Sequence, residues 1–264
     1  MGVVELAGGN VPRFRVDRLD VWVHPDRSAM GAAAARDAAN SIRGAIAARG
    51  GARLIFASAP SQQELLTALA TDASIDWRRV VAFHMDEYVG ISQEHPASFS
   101  RFLRERLPLG DATFHQLRGD ASDPEMERRR YAALLEAEPI DLCCLGIGEN
   151  GHLAFNEPAT ADFADRERVR IVELDEASRE QQVHDGCFAE VAMVPTHAVT
   201  LTIPALLRAG TLVCVVPGPA KAPAVRRALT GAVESACPAS VLRTHAHGTL
   251  HIDRAAAALL EAPG

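Results

Sequence analysis

The segment PIDLCCLGIG, residues 139–148, decides the fold of this chain. Its central letters LCCL, residues 142–145, show no polar alternation, so a strand here is expected to be buried on both faces. Strands of that kind are typical of parallel sheets that carry helices on both sides. The glycines that follow then open a loop at the end of the strand.

Short apolar strands alternate with helices on either side of this segment. Predicted helices cover residues 28–51, 61–70 and 123–137; Gly50-Gly51 ends the first, and Asp123 with Pro124 begins the third. The other predicted strands lie at residues 17–25, 52–58, 78–87, 168–174, 198–203, 211–218 and 248–254. We therefore predict an α/β fold with a single domain over residues 1–264, built on a mostly parallel, Rossmann-like, open doubly wound sheet with helices on both faces.

The composition excludes several classes of protein. The 264 residues are 48% apolar and carry a net charge of -7, without the basic cluster that a nucleic-acid binder needs. No stretch reaches the ~18 apolar residues of a membrane span, and no signal peptide is visible before the first strand. The five cysteines lack a C-x-x-C spacing and are expected to be reduced. We expect a cytoplasmic protein that binds neither nucleic acid nor membrane.

Sheets of this type bind ligands beyond the carboxyl ends of their strands, which directs attention to the loops there. The third strand runs into HMDEYVG at residues 84–90, with two adjacent carboxylates, Asp86 and Glu87. Carboxylates in that position are costly unless they are solvated or used. Two interpretations stay open: a turn with ordinary exposed acids, or a general base that takes a proton from a positioned carbon or hydroxyl.

The loop after the fourth strand is rich in glycine and polar residues, GIGENGHLAFNEP at residues 146–158. Its glycines match the G-x-G-x-x-G spacing, but the NEP segment speaks against the helix that a dinucleotide site requires. His152 has two neighbours, Asn150 and Glu157, either of which could fix its tautomer for proton transfer. The alternative is a structural or exposed histidine. After CVVPG, Lys221 could contact a phosphate, or it could be an ordinary surface lysine.

Together these segments resemble the glucosamine-6-phosphate deaminases. FHMDEYVG is followed by EHPASFSRFLRERL, and GIGENGHLAFNEP is followed by VPTHAVTLTIPALL, VVPGPAKAPAV and PASVLRTH in the order typical of that family. The likeness runs from Leu54 to His245, most of the chain. The FNEP continuation favours the deaminases over the related 6-phosphogluconolactonases.

The resemblance implies a role for each of the residues singled out above. Asp86 matches the general base that moves a proton between C2 and C1 in the aldose–ketose isomerisation. His152 matches the residue that opens the pyranose ring, with Asn150 and Glu157 as its partners, and Lys221 matches a phosphate contact. The implied reaction converts glucosamine 6-phosphate into fructose 6-phosphate and ammonia, with no metal and no cofactor.

Two segments depart from the family pattern at the phosphate end. The usual Thr-Gly-x-Thr-Pro loop is replaced by ASAPS at residues 57–61, in which Ser58, Ala59 and Ser61 are the positions expected to bind phosphate. His184 stands where the family uses an arginine, and a histidine is a poorer clamp for phosphate. We therefore expect a small-molecule sugar phosphate as ligand, with the proton-transfer chemistry retained and the phosphate contacts remodelled.

Two other functions share this type of fold. A 6-phosphogluconolactonase-type lactonase needs a histidine that activates water, but it needs no base for C2. A non-catalytic sugar-phosphate sensor needs neither, and such regulators normally carry an added helix-turn-helix. The resemblance leaves a homo-oligomer open as well, since members of the family range from monomers to hexamers.

Overall fold

The computed structural model describes residues 12–184 and 186–260. Over these ranges the chain forms eleven strands: β1 Arg13–Val16, β2 Leu19–His24, β3 Ala52–Phe56, β4 Val80–His84, β5 Asp86–Tyr88, β6 Thr113–His115, β7 Leu142–Leu145, β8 Val169–Glu173, β9 His197–Leu201, β10 Thr211–Val216 and β11 Gly248–Asp253. Over the same ranges it forms seven α-helices: α1 Arg27–Arg49, α2 Gln63–Ala70, α3 Phe99–Arg104, α4 Pro124–Glu136, α5 Glu176–His184, α6 Ile203–Leu207 and α7 Ala222–Thr230.

Eight strands form one sheet in the order β1-β2-β11-β10-β7-β3-β4-β6. Neighbouring strands are parallel except β1 with β2, which confirms the mostly parallel sheet predicted from the sequence. From β3 the chain runs outward through β4 to β6, and it then crosses to the other side of β3, where β7 lies. This reversal is a topological switch point, the place where open sheets of this kind bind ligands.

Strand β7 is buried on both faces, as its uninterrupted apolar sequence predicts. Leu142 and Cys144 pack on the side of α1 and α2, whereas Cys143 and Leu145 pack on the side of α4 and α7. Neither face needs a polar alternation, because neither face meets water. Cys143, Cys144, Cys214 and Cys237 are buried free thiols, and Cys187 is partly exposed.

The longest helices begin and end close to the predicted positions. Helix α1 begins after Asp26, whose carboxylate accepts a hydrogen bond from the Ala29 amide at 2.8 Å, and it ends at Gly50 with a φ of 81°. Helix α4 begins with Pro124 after the cap residue Asp123. Among the described residues, no helix combines the length and the apolar character needed to cross a membrane.

Three further strands form a separate antiparallel sheet in the order β5-β9-β8. The predicted strand at residues 78–87 is therefore broken at Met85: β4 stays in the main sheet and β5 enters the small one. The Met85 carbonyl accepts a hydrogen bond from the Leu201 amide at 2.8 Å, and Asp86 pairs with Thr200. The change of sheet places Asp86 at the junction of the two sheets, just beyond the carboxyl end of β4.

Candidate active site

A pocket lies at the switch point, where the loops after β3, β4, β7 and β10 meet. Six of the residues singled out from the sequence line it: Ser58, Ala59, Ser61, Asp86, His152 and Lys221. Asn150 and Glu157 contact His152 without lining the pocket themselves. The structure thus brings together the two loops that carry the predicted proton-transfer residues and the two loops that carry the predicted phosphate contacts.

Asp86 is the acidic side chain that faces this pocket. It is the first residue of β5, and only 8% of its surface is exposed. Burial, reinforced by the neighbouring Glu87 carboxylate, raises the pKa of Asp86 well above its usual range. Among the described residues, no protein hydrogen bond holds the Asp86 carboxylate. A buried carboxylate with a raised pKa that faces a ligand pocket suits a group that takes a proton from a ligand.

Glu87, the second acid of the pair, has a structural task. Its Oε1 accepts hydrogen bonds from the Tyr88 and Phe99 amides, both at 3.1 Å. Its Oε2 accepts from Ser98 Oγ at 2.8 Å and from the Ser100 amide at 3.1 Å. Burial raises the pKa of Glu87, and these four hydrogen bonds oppose that rise. Three of the donors are backbone N–H groups that can only donate, so they fix the Glu87 side chain and favour its ionised form, and burial still leaves its pKa raised to about 7.

His152 is oriented by Glu157. Its Nδ1 lies 3.0 Å from Glu157 Oε1. Ser178 Oγ donates to the same oxygen at 2.5 Å, and Asn150 Nδ2 donates to Oε2 at 2.5 Å. Burial opposes the charge of Glu157, but these three partners together hold its pKa below the usual range. Glu157 lies beside Nδ1 of His152, which leaves Nε2 as the ring nitrogen that can exchange a proton with a ligand.

The glycines of the catalytic loop, residues 146–158, make room for their neighbours. A Cβ at Gly148 would lie 2.3 Å from the His152 ring, so the ring can occupy this position only beside a glycine. Gly151 has a φ of 95°, and a side chain there would lie 2.9 Å from Cys237 Sγ. No helix follows the loop. The match to G-x-G-x-x-G therefore has no dinucleotide meaning here.

Strand β9 anchors both segments that carry the predicted proton-transfer residues. Its Thr200 pairs with Asp86 across the small sheet, and Thr200 Oγ1 accepts a hydrogen bond from the Phe155 amide at 3.1 Å. Asn156 Nδ2 donates to the carbonyls of Leu153 and Leu201, both at 2.8 Å. The FNEP segment is thus tied to the same strand that fixes Asp86.

The predicted phosphate contacts form a second end of the pocket, called the anion end below. Ser58 is 8% exposed, and its Oγ has no hydrogen-bond partner among the described residues. Ser61 Oγ lies 3.2 Å from Gln62 Nε2. Lys221 belongs to the turn that precedes α7, and it is the single lysine among the 27 Lys and Arg residues of the chain.

His184 does not reach this pocket, which corrects its assignment to the anion end. It is the exposed last residue of α5, and it does not line the pocket. Gln182 of the same helix lines the pocket instead, with its Oε1 accepting a hydrogen bond from Tyr88 Oη at 2.6 Å. Two positions along a helix turn a side chain by about 200°, so Gln182 and His184 point to opposite sides.

Sequence reasoning missed the contribution of α5 to the site. Ser178 and Gln182 are four residues apart and share the buried face of this helix. Ser178 holds Glu157, and Gln182 lines the pocket. The spacing within SREQQ is visible in the sequence, but nothing there links it to a glutamate in another loop.

An α/β sheet with a buried aspartate and a carboxylate-contacted histidine in its switch-point pocket has the arrangement expected of an enzyme that works by acid–base catalysis. The chain belongs to the family of glucosamine-6-phosphate isomerases/6-phosphogluconolactonase, whose model matches residues 25–252.

Relatives within this family are named glucosamine-6-phosphate deaminase. The protein from Exiguobacterium sp. strain AT1b is 39% identical over 187 residues, which are 70% of this chain and 71% of that protein. The protein from Bacillus cytotoxicus is 40% identical over 187 residues, 70% of each chain.

Solved structures agree with the fold. A monomeric glucosamine-6-phosphate deaminase superposes with a TM-score of 0.82 at 29% identity and covers 90% of this chain and 99% of its own. A 6-phosphogluconolactonase from Shewanella baltica superposes with a TM-score of 0.72 at 21% identity, covering 88% of this chain and 96% of its own. The second likeness concerns the fold alone.

Proposed function

We propose that this chain catalyses the isomerisation and deamination of an amino-sugar phosphate, with glucosamine 6-phosphate giving fructose 6-phosphate and ammonia. The observation that carries the proposal is Asp86, a buried carboxylate in the pocket with no protein hydrogen bond among the described residues and with a raised pKa. A lactonase has no use for such a base, whereas an isomerase needs one at C2. The relatives named glucosamine-6-phosphate deaminase support the same reaction.

His152 performs the first step in this proposal. Its Nε2 takes the proton of the C1 hydroxyl and returns it to the ring oxygen, while the bond between C1 and that oxygen breaks. The ionised Glu157, 3.0 Å from Nδ1, stabilises the imidazolium that exists between the two transfers. The product of this step is the open-chain amino aldehyde.

Asp86 performs the second step. Its carboxylate removes the proton from C2, and the electron pair of that bond forms a double bond between C1 and C2. The π bond of the C1 carbonyl breaks at the same time, and the C1 oxygen takes up a proton from solvent, which gives an enolamine. Return of a proton to C1 converts the enolamine into a ketose imine. Water then adds to C2, and ammonia leaves. The burial of Asp86 strengthens it as a base for this carbon acid.

The anion end holds the phosphate in this proposal. Lys221 supplies the positive charge, while Ser58 and Ser61 supply hydroxyl donors from the loop after β3. Ala59 lies between them in the pocket wall and contributes its backbone. His184 has no part in this scheme, because it lies outside the pocket.

The test is release of ammonia by the purified chain from glucosamine 6-phosphate, galactosamine 6-phosphate and mannosamine 6-phosphate. Hydrolysis of 6-phosphogluconolactone is measured in parallel. We expect ammonia and fructose 6-phosphate in equal amounts from the first substrate, and no catalysed lactone opening. Lactone hydrolysis without ammonia from any hexosamine phosphate would contradict the proposal.

A further inference from the structure

We propose that Gln62 is a further substrate-binding residue, which accepts a hydrogen bond from a hydroxyl group of the sugar phosphate and so recognises the sugar rather than its phosphate. This inference rests on the proposed class of substrate. Gln62 lines the pocket, yet its surface is 0% exposed. Its Oε1 is buried and has no hydrogen-bond partner among the described residues.

The orientation of the Gln62 amide follows from its other contacts. Nε2 donates to the Leu145 carbonyl at 3.4 Å and to Ser61 Oγ at 3.2 Å. A carbonyl oxygen can only accept, so the Leu145 contact assigns the NH2 group to this side. The atom left without a partner is therefore the acceptor, Oε1.

The Gln62 side chain is also fixed in position. It reaches from the loop after β3 to the end of β7, where it packs over Gly146. A Cβ at Gly146 would lie 2.9 Å from Gln62 Nε2 and 3.5 Å from Ser61 Oγ. Any larger residue at position 146 would displace the glutamine. The Gln62 side chain thus links the loop after β3 to the loop after β7, and both loops line the pocket.

The chemistry of the free acceptor selects its partner. A buried amide oxygen without a hydrogen bond is unfavourable, and such atoms call for a partner in the bound state. A phosphate dianion offers only acceptors, and its oxygens would be repelled by Oε1. A sugar hydroxyl can donate. Gln62 therefore favours a hydroxylated sugar beside the anion that Ser58 and Lys221 are proposed to hold.

Binding measurements by calorimetry test this inference without relying on turnover. The probes are glucosamine 6-phosphate, its 3-deoxy and 4-deoxy analogues, glucose 6-phosphate and inorganic phosphate. The variant Gln62→Met keeps the length of the side chain and removes both polar atoms. The matched control is Gln63→Met, because Gln63 is the adjacent glutamine, and its amide bonds Thr67 and Arg106 instead.

We expect Gln62→Met to weaken the binding of glucosamine 6-phosphate at least about tenfold, while inorganic phosphate binds as it does to the unaltered protein. One of the two deoxy analogues lacks the hydroxyl that Gln62 binds. The unaltered protein should bind this analogue as weakly as Gln62→Met binds glucosamine 6-phosphate, and Gln62→Met should bind the analogue no more weakly than the unaltered protein does. Gln63→Met should change neither affinity.

Equal losses for inorganic phosphate and for the sugar phosphates would overturn the inference, because they indicate a damaged pocket. The inference is also overturned if the unaltered protein binds both deoxy analogues as tightly as glucosamine 6-phosphate. This second outcome does not depend on whether any variant folds. Failure of the proposed reaction is distinguishable: the unaltered protein would then bind a hexose phosphate through Gln62 but release no ammonia. If the unaltered protein binds no hexose phosphate, both the proposed function and the inference about Gln62 are contradicted.

Discussion

The two ends of the pocket differ in how far their polar groups are already paired. At the end proposed for proton transfer, three side chains contact Glu157, and Glu87 accepts four hydrogen bonds. At the anion end, Ser58 Oγ and the neighbouring Gln62 Oε1 have no hydrogen-bond partner among the described residues. The two glutamates of the first end are thus held in place before any ligand arrives. Asp86 is the exception there, and its carboxylate is the group expected to meet the substrate.

The difference indicates how the two ends divide the work. Groups that are fixed in advance stabilise charge as it develops in the reaction, so their loss should lower kcat. Groups that gain partners only from the ligand contribute to binding, so their loss should raise KM. Substitutions at each end test this division.

The largest effect is expected for Asp86→Asn, which replaces the base by an amide of nearly equal shape. We expect kcat for ammonia release to fall on the order of 10³-fold, since a positioned general base contributes about 10² to 10⁴. Binding of glucosamine 6-phosphate, measured by calorimetry, should persist. The exposed Asp111→Asn is the control. Normal turnover by Asp86→Asn would remove Asp86 from the mechanism.

Glu157→Gln should have the next largest effect. It takes away the charge that stabilises the His152 imidazolium, and we expect kcat to fall roughly 10²-fold with KM little changed. Ser178→Ala removes a single hydrogen bond to the same oxygen and should cost only a few-fold. Steady-state kinetics of the two variants test this difference. An equal fall in kcat for both variants would contradict an electrostatic role for Glu157.

Lys221→Met tests the anion end. We expect KM for glucosamine 6-phosphate to rise on the order of tenfold while kcat is retained, because a charge-assisted contact to phosphate is lost. Lys221→Arg keeps the charge and should lose less. A fall in kcat at unchanged KM would place Lys221 among the proton-transfer groups instead.

Glu87→Gln should change the pH dependence. The Glu87 carboxylate raises the pKa of Asp86, and its removal should lower that pKa. Asp86 acts in its ionised form, so the rise of kcat/KM with increasing pH should move to lower pH, by on the order of one unit. Measurements of kcat/KM from pH 4 to 10 check this shift, with Glu105→Gln at an exposed position as the control. A profile that stays in place, or moves upward, would contradict the coupling.

His184→Ala should have the smallest effect. The side chain is exposed and does not line the pocket, so we expect kcat and KM to stay within about twofold of the unaltered protein. Gln182→Ala, which alters the pocket wall from the same helix, is the comparison variant. A tenfold rise in KM for His184→Ala would instead place His184 among the phosphate contacts.

The main sheet could be predicted because β3, β7 and β10 are mostly apolar without a regular polar alternation. That pattern is a local property of each segment. It could not predict the small sheet, since the break at Met85 depends on pairing with Leu201 and Thr200, which are far away in the chain.

The same limit applies to the site. Asp86 and His152 follow the carboxyl ends of β4 and β7, where ligands of α/β sheets bind. Adjacent residues of a strand point to opposite faces, so the strand pattern separates Asp86 from Glu87, but only the family resemblance assigned the pocket to Asp86. His184 was misplaced because sequence order does not fix the rotation of α5. Ser178 and Gln62 act through contacts that only the fold creates.

The most direct test of a pocket with two distinct ends is a crystal structure with the open-chain amino-alditol 6-phosphate, which lacks the carbonyl and cannot react. We predict phosphate oxygens within hydrogen-bond distance of Lys221 Nζ and Ser58 Oγ, with C2 about 3 to 3.5 Å from the Asp86 carboxylate. A phosphate bound beside His152, or C2 remote from Asp86, would contradict the account.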